Sequence, residues 1–99
     1  MKQYTTIEQT AKLIELGFKK PKSIEKMIPQ PVVDGYVHLV PQKAYSIGEL
    51  IEMLGVHLSS IYYIGIEWFV NAEGIERRKD ELIDALYDMV VRLKEEGVV

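Results

Sequence analysis

Ser60-Ile-Tyr-Tyr-Ile-Gly-Ile-Glu-Trp-Phe-Val-Asn-Ala72 is the stretch that decides how this chain must be built. Taken with a period of two, Tyr62, Ile64, Ile66, Trp68 and Val70 fall on one face, and Ile61, Tyr63, Gly65, Glu67 and Phe69 on the other. Both faces are largely apolar. Aromatic and β-branched residues dominate and proline is absent, so the composition predicts one long strand over 61–70. A strand apolar on both sides needs cover on both sides, which places it at the centre of a sheet. The turn Asn71–Gly74 then reverses the chain into a short antiparallel partner over 75–78.

Three amphipathic segments are available as cover. Thr5 or Thr6 can cap a helix over 6–16, with Glu8 or Gln9 as reciprocal partner and Ile7, Ala11, Leu13 and Ile14 as its apolar face. Gly17 ends it, and Phe18 is placed to fold back onto Leu13. Ser46 and Glu49 form a second capping box for a helix over 46–54, with Ile47, Leu50, Ile51 and Leu54 at helical spacing. Gly55 is its expected stop, with Val56 returning onto Ile51. The last helix, 80–96, has Asp80 as the expected cap and Leu82, Ile83, Leu86, Met89, Val90 and Leu93 on one face. Gly97 is its stop.

Between the first two helices the signals are weaker. Ser23–Ile28 reads as a short helix opened by Ser23 and stopped by Pro29 and Pro31. Asp34-Gly35 suits a two-residue turn with positive φ, Val32 and Val33 belong to a short or edge strand, and 36–40 is the better strand. The expected fold is therefore α+β: one domain over 1–99, with a small, mainly antiparallel sheet of 36–40, 61–70 and 75–78 packed against three helices.

Composition excludes several classes. At 47% hydrophobic and 27% charged, the 99 residues suit an ordinary globular core, and the absence of cysteine removes disulfide and thiolate chemistry. No apolar run approaches membrane-spanning length, and MKQYTTIEQT lacks the apolar centre of a signal peptide, so a cytoplasmic protein without membrane contact is expected. The net charge of −3 disfavours general nucleic-acid affinity, but it is unevenly placed. Residues 1–45 carry seven lysines against four acids, and 46–99 five basic residues against eleven acids.

Lys19, Lys20, Lys22 and Lys26 form a basic cluster after the first helix, a candidate phosphate-binding patch or simply solvated lysines at a helix end. Tyr62, Tyr63 and Trp68 are candidate anchors of an interface, or core residues of the central strand. Glu67, between Ile66 and Trp68, would have a raised pKa if buried. His38 and His57 have no partners at metal-ligand spacing, and neither a glycine-rich phosphate loop nor a nucleophile elbow occurs, so no enzyme, metal or cofactor is expected.

Two resemblances add to this. Residues 6–24 (TIEQTAKLIELGFKKPKSI), 45–54 (YSIGELIEML) and 81–99 (ELIDALYDMVVRLKEEGVV) resemble small proteins of Bacteroidetes prophages and other mobile elements. That family has no activity to transfer, so the resemblance implies only a mobile-element accessory role. Tyr45-Ser-Ile-Gly-Glu-Leu50, followed by Gly55-Val56 and Ser59–Tyr63, is similar to the helix-turn-helix of MerR-type regulators. It implies a reading helix capped by Ser59, with Ser60, Tyr62 and Tyr63 towards DNA. Against it, no Arg or Lys stands between Lys43 and Arg77. The expected function is a non-enzymatic interaction protein of a prophage, acting through the sheet face or the Lys19–Lys26 region. The alternative is a DNA-binding accessory protein using 46–63 or the same lysines. If the three helices share one face of the sheet, the opposite face stays open and favours a homodimer.

Overall fold

The computed structural model describes residues 1–31 and 35–99. Its elements run α1 (Ile7–Glu15), β1 (Ile24–Pro31), β2 (Val37–Lys43), α2 (Ile47–Leu54), a 3-10 turn (Gly55–His57), β3 (Leu58–Ile64), β4 (Glu67–Ala72), β5 (Ile75–Lys79) and α3 (Leu82–Glu95). The fold is α+β, with the strands in two separate antiparallel sheets, β1-β2 and β3-β4-β5.

The capping signals govern the helices. Thr6 with Gln9 and Ser46 with Glu49 each form a complete reciprocal box. At the end of α1, Gly17 at φ +101° lets its N–H donate to the Ile14 carbonyl and the Phe18 N–H to the Leu13 carbonyl, the pair of bonds of a Schellman stop. Three details differ from expectation. Glu81, not Asp80, takes the N-cap position of α3 and makes no side-chain cap bond; its carboxylate instead accepts the Lys2 backbone N–H. Gly55 is itself the C-cap of α2, and the chain runs on into the 3-10 turn, leaving Val56 96% exposed and away from Ile51. Of the apolar face expected on α1, Ile7, Ala11 and Ile14 are exposed and Leu13 alone is buried, with Thr10 as the other inward residue. The inward polar position is satisfied because the Thr10 hydroxyl pairs with that of buried Thr5 at 2.7 Å and donates to the Thr6 carbonyl.

The expected long strand is a hairpin. Gly65 at φ +67°, followed by Ile66 at negative φ, makes a tight two-residue turn of the II′ pattern, so Ile64 faces Glu67 and Tyr62 faces Phe69. Strand composition on both flanks hid a turn that needs only one glycine. Glu73 and Gly74, both at positive φ, then close the β4–β5 turn. β4 is thus central, and its inner residues Trp68, Val70 and Ala72 face α3, which also covers β5 and packs on α2. Leu82, Ile83, Leu86, Met89, Val90 and Leu93 are buried as the sequence pattern requires, joined by Leu13, Tyr45, Leu50 and Leu54.

The second correction is larger. Ser23–Ile28 does not form a short helix: Ile24–Pro31 is a strand, paired with 37–43 into a two-stranded arm. Three prolines permit this because they share one parity of the ladder, in the pairs Met27↔Pro41, Pro29↔Leu39 and Pro31↔Val37. A proline cannot exchange both N–H bonds, so these are the non-hydrogen-bonded pairs, and the alternate pairs carry the ladder. The expected Asp34-Gly35 turn and the Val32-Val33 edge strand include positions outside the described residues. β1 and β2 pack on each other and on no other element to a comparable extent. The molecule is accordingly drawn out to 56 × 32 × 18 Å, with a radius of gyration of 15.7 Å against the ~13 Å of a compact chain this long.

Candidate interaction surfaces

At the root of the arm, the basic cluster is pinned by buried groups. Tyr45 is 1% exposed; its hydroxyl donates to the Lys19 carbonyl, and its backbone N–H and carbonyl both bond Thr5. Burial, and then the nearby Glu49 charge, push the Tyr45 hydroxyl above its ordinary pKa, so it stays a donor. Glu49 does double duty. Besides closing its capping box, its carboxylate accepts the Lys22 N–H at 2.9 Å and the Ser23 hydroxyl. Burial opposes its ionisation, but the bonds from Ser23, Lys22 and Ser46 outweigh burial and hold its pKa below the ordinary value.

Lys19, Lys20 and Lys22 thereby line an open groove of about 250 Å³ together with the half-buried Phe18 and Met53 and the α2 carboxylates Glu49 and Glu52. The Lys94 ammonium lies 5.2 Å from the centre of the Phe18 ring, a cation–π contact. Lys26 does not belong here: it sits on β1 opposite Gln42. With two carboxylates among its lysines, the groove is a mixed-charge surface with Phe18 and Met53 as its apolar part.

The three aromatic candidates are not one patch either. Tyr63 and Trp68 meet edge to face, centroids 5.1 Å apart, on the side of the sheet that bears the core. Tyr62 lies on the opposite face, stacked on Phe69 at 5.0 Å and 8°. Around that stack stand Ser60 bonded to Asn71, Glu76 within 3.4 Å of the Tyr62 hydroxyl, and Arg78 opposite Phe69. The helices do lie on the other face, so this one is open, but it is the half-polar, solvated face of an ordinary antiparallel sheet. Glu67 sits beside the Gly65-Ile66 turn rather than in mid-strand.

Residues 46–63 do not form a helix-turn-helix. After α2 and the 3-10 turn, Leu58–Ile64 is extended and paired with β4, so Ser59 caps nothing and no reading helix exists. Among the described residues no group of three His, Cys, Asp or Glu could hold a metal, and no helix is long and apolar enough to cross a membrane. His57 pairs its Nδ1 with Glu73 at 2.6 Å, and His38 lies on the arm opposite Gln30.

The surface that sequence reading missed is the arm. Opposed residues in an antiparallel ladder point the same way, so Met27, Pro29, Pro31, Val37, Leu39 and Pro41 share one face. All six are exposed, Val37 at 65% and Leu39 at 63%. The signal was present as the period-two series Met27-x-Pro29-x-Pro31 and Val37-x-Leu39-x-Pro41, hidden because proline usually argues against a strand. The chain matches no family model, no curated protein and no solved structure.

Proposed function

We propose that this chain is a non-enzymatic interaction protein, an accessory of a prophage or other mobile element, and that its working part is the β1–β2 arm. One observation carries the reading: a continuous apolar face stands clear of the core on a pair of strands that adds nothing to that core. A two-stranded hairpin is at best marginal in water, and an apolar face of this kind marks a contact site. Site-specific photo-crosslinking in cells tests it. A crosslinker at Leu39 or Val37 should give a discrete adduct, abolished by Met27→Glu on the same arm, while one at the exposed Ile66 gives none. Absence of any adduct from both arm positions would sink the reading.

A DNA-binding role is the second reading, favoured by the convergence of Lys19, Lys20 and Lys22 on one groove. Duplex binding that weakens steeply with salt and vanishes on changing these three lysines to Glu would support it. Glu49 and Glu52 in the same groove weigh against it.

A further inference from the structure

We infer that the partner of the arm is the arm of a second copy of this chain, the two apolar faces packing around a two-fold axis into a small four-stranded sandwich. The inference rests on the arm being the working part. Four observations choose the occupant.

The face carries no hydrogen-bonding side chain between Met27 and Pro31 or between Val37 and Pro41. Apolar composition of this kind suits the centre of a homodimer interface, which is more apolar and poorer in charge than a contact between unlike partners. A face presented by every folded copy is best matched by a partner present in equal amount. A second copy meets that condition without any further gene product.

Area gives the same answer. Six apolar residues each leaving a third or more of their surface in water amount to roughly 500–600 Å² per arm, so face-to-face pairing removes on the order of 1,000 Å² in total, about the threshold for a specific interface.

The β1 edge disfavours the commonest alternative. In the non-hydrogen-bonded pairs, backbone groups point outward, and on β1 those positions are Met27, Pro29 and Pro31. Two of the three lack an N–H. Strand addition along β1 is blocked by the device natural sheets use to protect an edge, and along β2 only Val37 and Leu39 of the three outward positions keep an N–H.

The open face of β3-β4-β5, the other place where a dimer might form, is a poorer candidate. Its Tyr62–Phe69 stack is flanked by polar groups: Asn71 donates to Ser60, Glu76 lies within 3.4 Å of the Tyr62 hydroxyl, and Arg78 stands opposite Phe69. An isologous contact of two arms would centre on the Pro29↔Leu39 pair, the middle of the three, bringing Leu39 close to its own symmetry mate.

The full chain has no cysteine, so single-cysteine variants report cleanly on one position. Sedimentation equilibrium from low micromolar to submillimolar concentration should show a monomer–dimer equilibrium, and Leu39→Glu and Met27→Glu should each weaken it by about 100-fold or more. Helical circular dichroism should stay unchanged, which separates lost dimerisation from lost folding. Under mild oxidation Leu39→Cys should give a disulfide-linked dimer and Ile66→Cys none. A wild-type chain monomeric throughout the range, or a dimer indifferent to both glutamates, overturns the inference. The crosslinked adducts keep the two levels apart: an adduct whose mass is not two copies of this chain leaves the arm reading standing and removes only the second copy, whereas no adduct removes both.

Discussion

The molecule contains two antiparallel sheets that obey the same period of two and have opposite fates. In β3-β4-β5, one parity (Trp68, Val70, Ala72) is sealed by α3 and the other is dressed with Ser60, Asn71, Glu76 and Arg78. In β1-β2, one parity is apolar and is sealed by no helix among the described residues. Alternation alone does not say which sheet is structural. A helix follows each sheet after two or three residues, so what separates them is where that helix packs: α3 turns back onto β4 and β5, whereas α2, reached from β2 through buried Ala44 and Tyr45, packs on α3.

Truncation would test that contrast most severely. Leu86→Ala, at the fully buried centre of α3, should lower the free energy of unfolding by about 2–5 kcal/mol, through lost contacts and a cavity. Leu39→Ala on the arm, measured at a concentration low enough to keep the chain monomeric, should change it by less than about 0.5 kcal/mol. Urea denaturation of the two variants side by side decides it. Equal losses would mean that the arm belongs to the cooperative core after all.

A smaller effect is expected at the turn that splits the 60–72 stretch. Gly65 has open space where a Cβ would go, so Gly65→Ala should cost only the conformational penalty of positive φ, about 1–2 kcal/mol. The neighbouring Ile66, 77% exposed, should tolerate Ile66→Ser within about 0.5 kcal/mol. A cost at Ile66 as large as at Gly65 would show that the hairpin tip is held by packing rather than by backbone geometry.

These two sites also mark how far the sequence could be read. Much that depends on local chemistry was legible, namely the Thr6–Gln9 and Ser46–Glu49 boxes, the Gly17-Phe18 stop and the six-residue buried stripe of α3, although the cap of α3, the return of Val56 and the inward face of α1 were not. The larger part of what was not legible depends on pairing at a distance. Gly65 looks like one more residue of an apolar strand until Tyr62 is set against Phe69, and Pro29 and Pro31 look like helix breakers until register puts them on one non-hydrogen-bonded parity with Pro41. The lysine cluster was half legible. Lys19, Lys20 and Lys22 do converge, but Lys26 leaves with the arm, and the Glu49 that joins them comes from another helix 27 residues along from Lys22.

Cap removal ranks next. Ser46→Ala deletes the acceptor for the Glu49 N–H and should cost about 1 kcal/mol, read as a lower melting temperature of the body. Because the same Glu49 side chain clasps the arm root, this variant also loosens the point where the two regions meet.

The finest test of the comparison is the pH dependence of that clasp. Glu49 ties the arm root to α2, and Asp84 ties Lys2 and Gln9 to α3. At Asp84 burial opposes ionisation, and the bonds from Gln9 and Lys2 with the Lys2 and Lys79 charges outweigh it, so both carboxyls lie below their ordinary values of 3.8 for Asp84 and 4.5 for Glu49. A carboxyl whose pKa is lower folded than unfolded binds protons more readily in the unfolded chain. Its contribution is therefore complete above the unfolded value and is lost as pH falls through the folded one. Both groups are half-buried and keep contact with water, so the effect on global stability is small and screened. The local effect is not small: when Glu49 takes up a proton it becomes a poorer acceptor for the Lys22 N–H. The chemical shift of that amide should titrate with a midpoint below 4.5, and Glu49→Gln should remove the titration while the α3 amides around Leu86 stay put. A Lys22 amide whose titration is not lowered would mean that the clasp does not favour the charged carboxylate, and one that moves together with the α3 amides would mean that the arm root and the body respond to acid as a single unit.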